Sequence, residues 1–424
     1  MKILVVGSGG REHALIWKIA HSPKVKHIFA APGNAGIASL AQCVPIQVEE
    51  IKKLASFALS KSIDLTLVGP ELPLTLGIVD EFKRYRLKIC GPDRAAAQIE
   101  GSKLFAKDLM KKYNVPTASY AAFDSPSEAT RYLREKGTPA VVKADGLAAG
   151  KGVIPVHSLE EGEKAIHTIL TGKVFGAAGE RIVIEDFLKG EEASFIAFTD
   201  GKTIIPMPST QDHKTLYDND KGPNTGGMGA YSPAPVITGR LTSKIMDEVM
   251  TPAIRGMADE GAPFKGILYA GLMIHQDDIR VLEFNARFGD PETQPILMRM
   301  RTDLMPVLEA IADGKLDGMS ISWDERPSVC IVMASEGYPG SYRKGMVIEG
   351  LKEVQSLPDV QVFHGGTALH GNQVVASGGR VLGVTALGST IEEAIARAYE
   401  AASRLRWDGA YYRKDIGRKA LNRG

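Results

Sequence analysis

A chain of 424 residues exceeds the roughly 100–200 residues of one domain, so more than one core is expected. Its charges balance, 51 Lys and Arg against 50 Asp and Glu, which excludes the basic excess that nucleic acid or an anionic membrane calls for. Three scattered cysteines (Cys43, Cys90, Cys330) exclude a disulfide scaffold and point to a reducing, cytoplasmic setting, and no apolar run reaches membrane-spanning length. The opening apolar run is too short for a signal segment and leads into Arg11, Glu12 and His13, so it reads as a first strand.

Up to about residue 100, short apolar runs alternate with helical stretches, as in a parallel sheet covered on both faces. KILVVG (2–7), HIFAAPG (27–33), DLTLVGP (64–70) and KICGP (88–92) read as its strands. Ligands of such sheets gather beyond the carboxyl ends of the strands, here at GSGGREHA, PGNAG and GPELPL. Ser102 then reads as the N-cap of a helix to Tyr113, with Leu104, Phe105, Leu109 and Met110 as its apolar stripe. An α+β segment follows: a helix near 126–136, strands PAVVKAD and VIPVH around a glycine-rich loop, a helix near 159–170 and the strand RIVIEDFL. Asp200-Gly201 marks a hairpin turn between ASFIAFT and KTIIPMP. Residues 209–235, rich in Gly, Pro, Asn and Asp, read as a long loop, and such loops in enzymes are usually functional. Strands GILYAGLMIH and IRVLEFNA and helices over 292–313 come next. After about residue 326 there are the strands SVCIVMAS, VQVFHGG, NQVVAS and RVLGVTAL, and an alanine-rich helix over 391–405.

The chemistry concentrates in a few segments. In EFNARFGDPETQ, Glu283 and Asn285 project from one face of a strand. Two oxygen ligands there, with Arg287 beside them, suit Mg²⁺ held against a polyphosphate. DGLAAGKG (145–152) is one residue short of a Walker A loop and lacks its hydroxyl residue. It can instead close over phosphates as a lid, with backbone N–H groups and Lys151 as donors and Lys143 pointing up from the strand beneath. In IVIEDFLKGEE, exposed backbone groups can bond an adenine edge, Glu185 can accept from the exocyclic amine, and Glu191 or Glu192 can hold ribose hydroxyls. Strand alternation lets only one of the last two face the ligand.

GSGGREHA has Glu12 where a dinucleotide fingerprint needs its third glycine, which counts against a nicotinamide-dependent oxidoreductase. The N–H groups of Gly9, Gly10 and Arg11 at a helix start can bind a phosphate, and a plain packing turn stands as an equal alternative. Asp212 and Lys214 in QDHK offer opposite charges to a substrate, while His213 between them reads as structural or surface. Arg380 in SGGRVLGVT is a phosphate contact or a surface arginine. The scattered histidines form no Ser-His-Asp or Cys-His arrangement, which argues against a covalent protein nucleophile.

These segments, with VGPELPL, EGSKLFAKDLM, GPNTGGMGAYSP and SEGYPGSYRKG, stand in an order that resembles the phosphoribosylamine–glycine ligase family of the ATP-grasp superfamily, end to end. The resemblance implies an α/β and α+β multidomain chain. It comprises a Rossmann-like (preATP-grasp) domain over 1–100, an ATP-grasp domain over 101–326 with a mobile lid subdomain at about 122–190, and a small C-terminal α/β domain over 327–424. It implies ligation of glycine to 5-phosphoribosylamine at the expense of ATP, with Mg²⁺ or Mn²⁺, by a cytoplasmic monomer of the single-activity form.

Carried over by residue, Lys103 and Lys143 match phosphate-contacting lysines, and Gly146, Gly150, Lys151 and Gly152 lie in the lid loop. Glu185, Asp186 and Leu188 match the adenine hinge, Glu192 the ribose acid, and Glu283 and Asn285 the metal ligands. Glu71, Asp212, Lys214, Arg287 and Asp290 fall at substrate contacts, and Arg380 at a ribose-phosphate contact. Relatives often carry a second metal carboxylate about a dozen residues upstream, where this chain has Gly271, Leu272 and Met273. Lys143, Arg287 and Asp290 are the expected catalytic set, with Asp290 or Asp212 orienting the amine. Another ATP-grasp ligase, of the biotin-carboxylase or formate-dependent type, would use the same ATP site.

Overall fold

The first strand, Lys2–Gly7, is apolar on both faces because both are covered. Ile3 and Val5 pack against Ala14 and Leu15 of the helix Gly10–Ala20. Leu4 and Val6 pack on the other side against Leu54, Ala55 and Phe82. In this computed structural model, which describes residues 1–148 and 150–421, the strand is the centre of a five-stranded parallel sheet. The order is Gln42–Cys43, His27–Pro32, Lys2–Gly7, Leu65–Val68, Ile89–Cys90. All four predicted strands are present. Gln42–Cys43 was not predicted, since two residues carry no periodicity. Ala149 of the glycine-rich loop and residues 422–424 lie outside the described residues.

Two antiparallel sheets form the middle of the chain. One runs Ile204–Pro206, Glu191–Thr199, Gly266–His275, Asp278–Asn285. Its hairpin closes through residues 200–203: the Asp200 carboxylate accepts from the N–H groups of Lys202 and Thr203, at 3.0 and 2.8 Å. Gly201 takes φ +95°, a left-handed conformation that glycine alone adopts without strain. The other sheet runs Tyr120–Phe123, Ile182–Asp186, Ala140–Ala144, Val153–Val156, backed by the helices Pro126–Lys136 and Leu159–Ile166. The glycine-rich loop joins its last two strands.

The predicted long loop over 209–235 is a correction. It contributes Gln211–Asp212 and Gly229–Ser232 to a sheet whose other strands come from beyond residue 327: Ser328–Ser335, Arg380–Leu387, Val360–His364 and Ala410–Tyr411. The two runs are too short to show alternation; only pairing defines them, Gln211–Asp212 with Gly229–Ser232 and Gly229–Ser232 with Ser328–Ser335. His213, within this segment, is buried. Among the described residues no helix is long and apolar enough to cross a membrane.

The N-terminal and C-terminal units meet over two histidines. The backbone N–H of His364 donates to His13 Nδ1 at 2.8 Å, and the rings lie 5.5 Å apart. Asn34, in the loop PGNAG, donates to the carbonyls of Ser8 and His364, so this loop seals an interface. Gly36 is required there: a Cβ would lie 2.4 Å from the His364 ring and 2.6 Å from that of His13.

Burial, helped by His364, holds His13 down to about 3, and burial holds His364 down to about 4, so both rings are neutral in the fold. A depressed histidine contributes stability that is complete above its ordinary value near 6.5 and is lost as pH falls toward the folded value. We therefore expect the unfolding free energy from urea titration to fall below about pH 6.5, by up to about 1.4 kcal/mol per pH unit per histidine. A His13→Gln/His364→Asn variant should show a flatter slope between about pH 6.5 and 5; equal slopes in the two proteins would remove the histidines as the cause.

Candidate active site

A cavity of about 810 Å³ opens where the sheets converge, a size that suits a nucleotide-scale ligand. Lys103, Lys143, Gly150, Lys151, Gly152, Glu185, Asp186, Leu188 and Glu192 line it, as do Glu71, Asp212, Lys214, Glu283, Asn285, Arg287, Asp290 and Arg380. Most of the predicted site thus comes together. Glu192 faces the cavity and Glu191 is not among its lining residues, as alternation requires. Gly9, Gly10 and Gly146 are not lining residues either.

Glu283 and Asn285 lie at the end of Asp278–Asn285, both toward the cavity. Gly271 on the neighbouring strand pairs with Glu283, and a Cβ there would come 3.3 Å from its side chain. The missing upstream carboxylate is thus a glycine that gives Glu283 room. Lys143, on the strand Ala140–Ala144, donates to the Leu282 carbonyl at 3.2 Å, so the lysine under the glycine-rich loop reaches the residue before Glu283. The loop is anchored at its base: Asp145 accepts from the hydroxyl of Ser102 (2.9 Å) and the N–H of Leu104 (2.8 Å), and Lys103 Nζ donates to the Gly146 carbonyl. Ser102 caps its helix as predicted, through the N–H of Phe105. At the loop tip, Lys151 donates to the Pro339 carbonyl at 2.9 Å and so spans the mouth toward the C-terminal unit.

Arg287 binds across units. It meets Glu71 at 3.1 Å and Glu100 at 2.9 Å, and donates to Asn285 Oδ1 at 3.2 Å. Glu100 gave no signal in the sequence, being one acidic residue at a helix end. Its other oxygen accepts from the N–H of Ala286 at 2.7 Å. Burial pushes the Glu100 carboxyl up to about 7, with Arg287 opposing and Glu71 adding to the rise. For Glu71, burial works against the charge, but Arg287 and Arg11 outweigh it and hold the carboxyl at about 2.

Asp290 meets Arg380 at 3.4 Å and accepts from Gln294 and from the N–H of Arg11. Arg380 also donates to the carbonyls of Asp290 and Gly227. Asp212 and Lys214 face Glu192, Glu292 and Tyr269. Lys214 meets Glu192 at 2.8 Å, and buried Glu292 accepts from Tyr269 (2.7 Å) and Ser194 (3.1 Å). Burial pushes the Asp212 carboxyl up to about 7; Lys214 opposes, and Glu292, Glu192 and Glu283 add to the rise. Burial also works against the charge on Lys214, but Glu192 and Asp212 outweigh it and raise it well above the ordinary value.

Three groups expected at ligands also have partners within the protein. The N–H of Gly9 donates to Glu12 and that of Arg11 to Asp290, so carboxylates of the chain itself occupy this helix start. The Glu185 side chain meets Lys143 and Lys107, each at 2.9 Å. Lys151 spends its ammonium on a protein carbonyl. Removing Arg287 as Arg287→Met leaves buried Glu100 and half-buried Glu71 without their cation, a change that costs about 3–5 kcal/mol. We expect a lower urea midpoint, with a larger loss at about pH 8 than at about pH 6, where Glu100 can take up a proton; a loss independent of pH would remove Glu100 from the account.

Three family models match in succession: phosphoribosylglycinamide synthetase N domain over residues 1–100, its ATP-grasp (A) domain over 101–293, and its C domain over 328–419. Curated relatives called phosphoribosylamine–glycine ligase include those of Vibrio vulnificus (strain YJ016), 55% identical over 426 residues, and Pseudomonas aeruginosa, 53% identical over 426. Each covers 100% of this chain and 99% of the relative. A crystal structure of phosphoribosylamine–glycine ligase from Thermotoga maritima superposes with a TM-score of 0.84 at 33% identity, covering 98% of this chain and 100% of that one. A biotin carboxylase from Campylobacter jejuni shares the fold, with a TM-score of 0.76 at 15% identity, over 97% of this chain and 92% of that one. With models matched over all three parts and full-length relatives above half identity, the chain belongs to the phosphoribosylglycinamide synthetase family.

Proposed function

We propose that this cavity is where the family reaction takes place in this chain. The chain is an ATP-dependent ligase that joins glycine to 5-phosphoribosylamine in purine biosynthesis, giving N1-(5-phosphoribosyl)glycinamide, ADP and phosphate. The placement rests above all on the Lys143–Leu282 hydrogen bond, which joins the lid strand to the strand of Glu283 across 139 positions. The adenine sits against the backbone of 186–188 with Glu192 at the ribose, and the phosphates lie between Lys103, Lys143 and the 146–152 loop.

A divalent cation fits beside them. Glu283 and Asn285 offer two oxygen donors toward the cavity, and among the described residues no group of three or more His, Cys, Asp or Glu could hold a metal. A partial, all-oxygen set leaves coordination positions to phosphate and water, as Mg²⁺ prefers, with Mn²⁺ a close substitute. When bound, the ion would neutralise charge on the transferring phosphoryl group.

The chain's own residues then position the reactants. Lys143 and Lys103 hold the γ-phosphoryl for attack by the glycine carboxylate, giving a glycyl phosphate. Arg287, fixed by Glu71 and Glu100, orients the carboxylate, and Arg380 and Arg11 take the ribose phosphate. The amine of phosphoribosylamine attacks the acyl carbon, the acyl–oxygen bond breaks to release phosphate, and Asp212 takes the amine's proton. Asp290, bound by Arg380 and Gln294, orients Arg380. Lid contact with Pro339 keeps water from the acyl phosphate. We place the units at 1–100, 101–326 and 327–424, and take the enzyme to be a cytoplasmic monomer.

ADP release should require glycine and phosphoribosylamine together, with neither bicarbonate nor formate replacing glycine. Glu283→Gln should lower it by about a hundredfold or more while far-UV dichroism stays unchanged; turnover near normal at limiting Mg²⁺ would defeat the metal assignment. Since Asp212 acts as its deprotonated form, kcat/KM for phosphoribosylamine should climb as pH rises through about 7. Asp212→Asn should be slow and lack that limb; an unchanged limb would assign the base elsewhere.

A further inference from the structure

Beneath the lid strand lies a charge triad that the mechanism above uses only at one end. Lys107 belongs to the helix Lys103–Lys112, one turn beyond Lys103, and is 1% exposed. Its ammonium meets Glu185 Oε2 at 2.9 Å, and Lys143 meets Glu185 Oε1 at the same distance. Lys107 also donates to the Thr117 hydroxyl at 2.7 Å, and that hydroxyl donates to the Val281 carbonyl at 2.6 Å. One buried carboxylate is thus shared by two ammoniums, and only Lys143 reaches toward Leu282 and the metal-binding end of its strand.

We infer that Lys107 is a positioning residue for ATP: by occupying one oxygen of Glu185 and cancelling its charge, it leaves Lys143 as a net cation facing the triphosphate. A carboxylate beneath Lys143 fixes the flexible side chain but, alone, would neutralise it. The interior amplifies this effect, because two charges a few ångströms apart interact several-fold more strongly there than in water. The second lysine resolves the conflict. Its oxygen contacts hold the carboxylate, its charge restores the triad to +1, and its own ammonium is committed to Glu185 and Thr117.

The groups facing Lys107 are few. Glu185 and Asp186 come from the strand Ile182–Asp186, Lys143 from Ala140–Ala144, and the Tyr120 ring, 5.9 Å from its ammonium, from Tyr120–Phe123. Burial lowers Lys107 to about 8, with Lys143 lowering it further and Glu185 and Asp186 opposing. The triad therefore loses its net charge as pH rises past that value.

The inference rests on the placement of the phosphates beside Lys143, and the test separates the two. Binding of magnesium-ATP to the full-length enzyme is measured for wild type, Lys143→Met, Lys107→Met, Lys107→Arg and Lys107→Met/Glu185→Gln. Lys107→Met should weaken ATP about tenfold, and the double variant, whose net charge is again that of the wild type, should recover most of the loss. Wild-type affinity should fall between about pH 7.5 and 9.5, and Lys107→Arg should hold its affinity across that range. If Lys143→Met binds ATP normally, the phosphate placement fails and the inference with it. If Lys143→Met is weak but Lys107→Met binds normally, or the double variant is no better than Lys107→Met, only the inference is overturned. Should Lys107→Met not fold, Lys107→Gln takes its place, and ATP binding like that of wild type in that variant overturns the inference.

Discussion

Arg287 ties the reacting strand to the N-terminal unit. Its guanidinium reaches Glu71, Glu100 and the amide oxygen of Asn285, so one side chain sets the distance between a helix start, a helix end and the strand of Glu283 and Asn285. A planar guanidinium with five donors can hold such a junction rigidly; an ammonium cannot. Three residues on, Asp290 makes the matching junction with Arg380 of the C-terminal sheet. The cleft between the units is therefore built on alternating buried charges.

Buried charge is tolerable only where it is paired and hydrogen-bonded. The cavity meets that condition with shared partners: two carboxylates on Arg287, two lysines on Glu185, and Lys214 among Asp212, Glu192 and Glu283. Sharing leaves some members poised. Glu100 and Asp212 are both held near 7 by burial and by like charges beside them. Such displaced carboxyls mark sites where binding a charged substrate shifts protons.

Much of this was legible in the chain because local chemistry carried it. The apolar runs of the first sheet, the Ser102 cap and the alternation that turns Glu192 toward the cavity each depend on residues within a few positions. The misses share one cause. Glu100, Glu292 and Lys107 look like ordinary surface charges until residues 78 to 186 positions away cover them. Glu185 and Lys151 line the cavity, and nothing local says that they meet Lys107 and the Pro339 carbonyl there.

Sequence by itself determined the parallel sheet, the glycine-rich loop with its lysine, and the shared face of Glu283 and Asn285, since these follow from periodicity, backbone freedom and spacing. The tertiary structure alone decided which charges share a partner, and that the segment carrying Asp212 and Lys214 joins the C-terminal sheet. The physical reason is range: propensity acts over neighbours in the chain, whereas ion pairing and desolvation depend on what finally lies within a few ångströms, whatever its number.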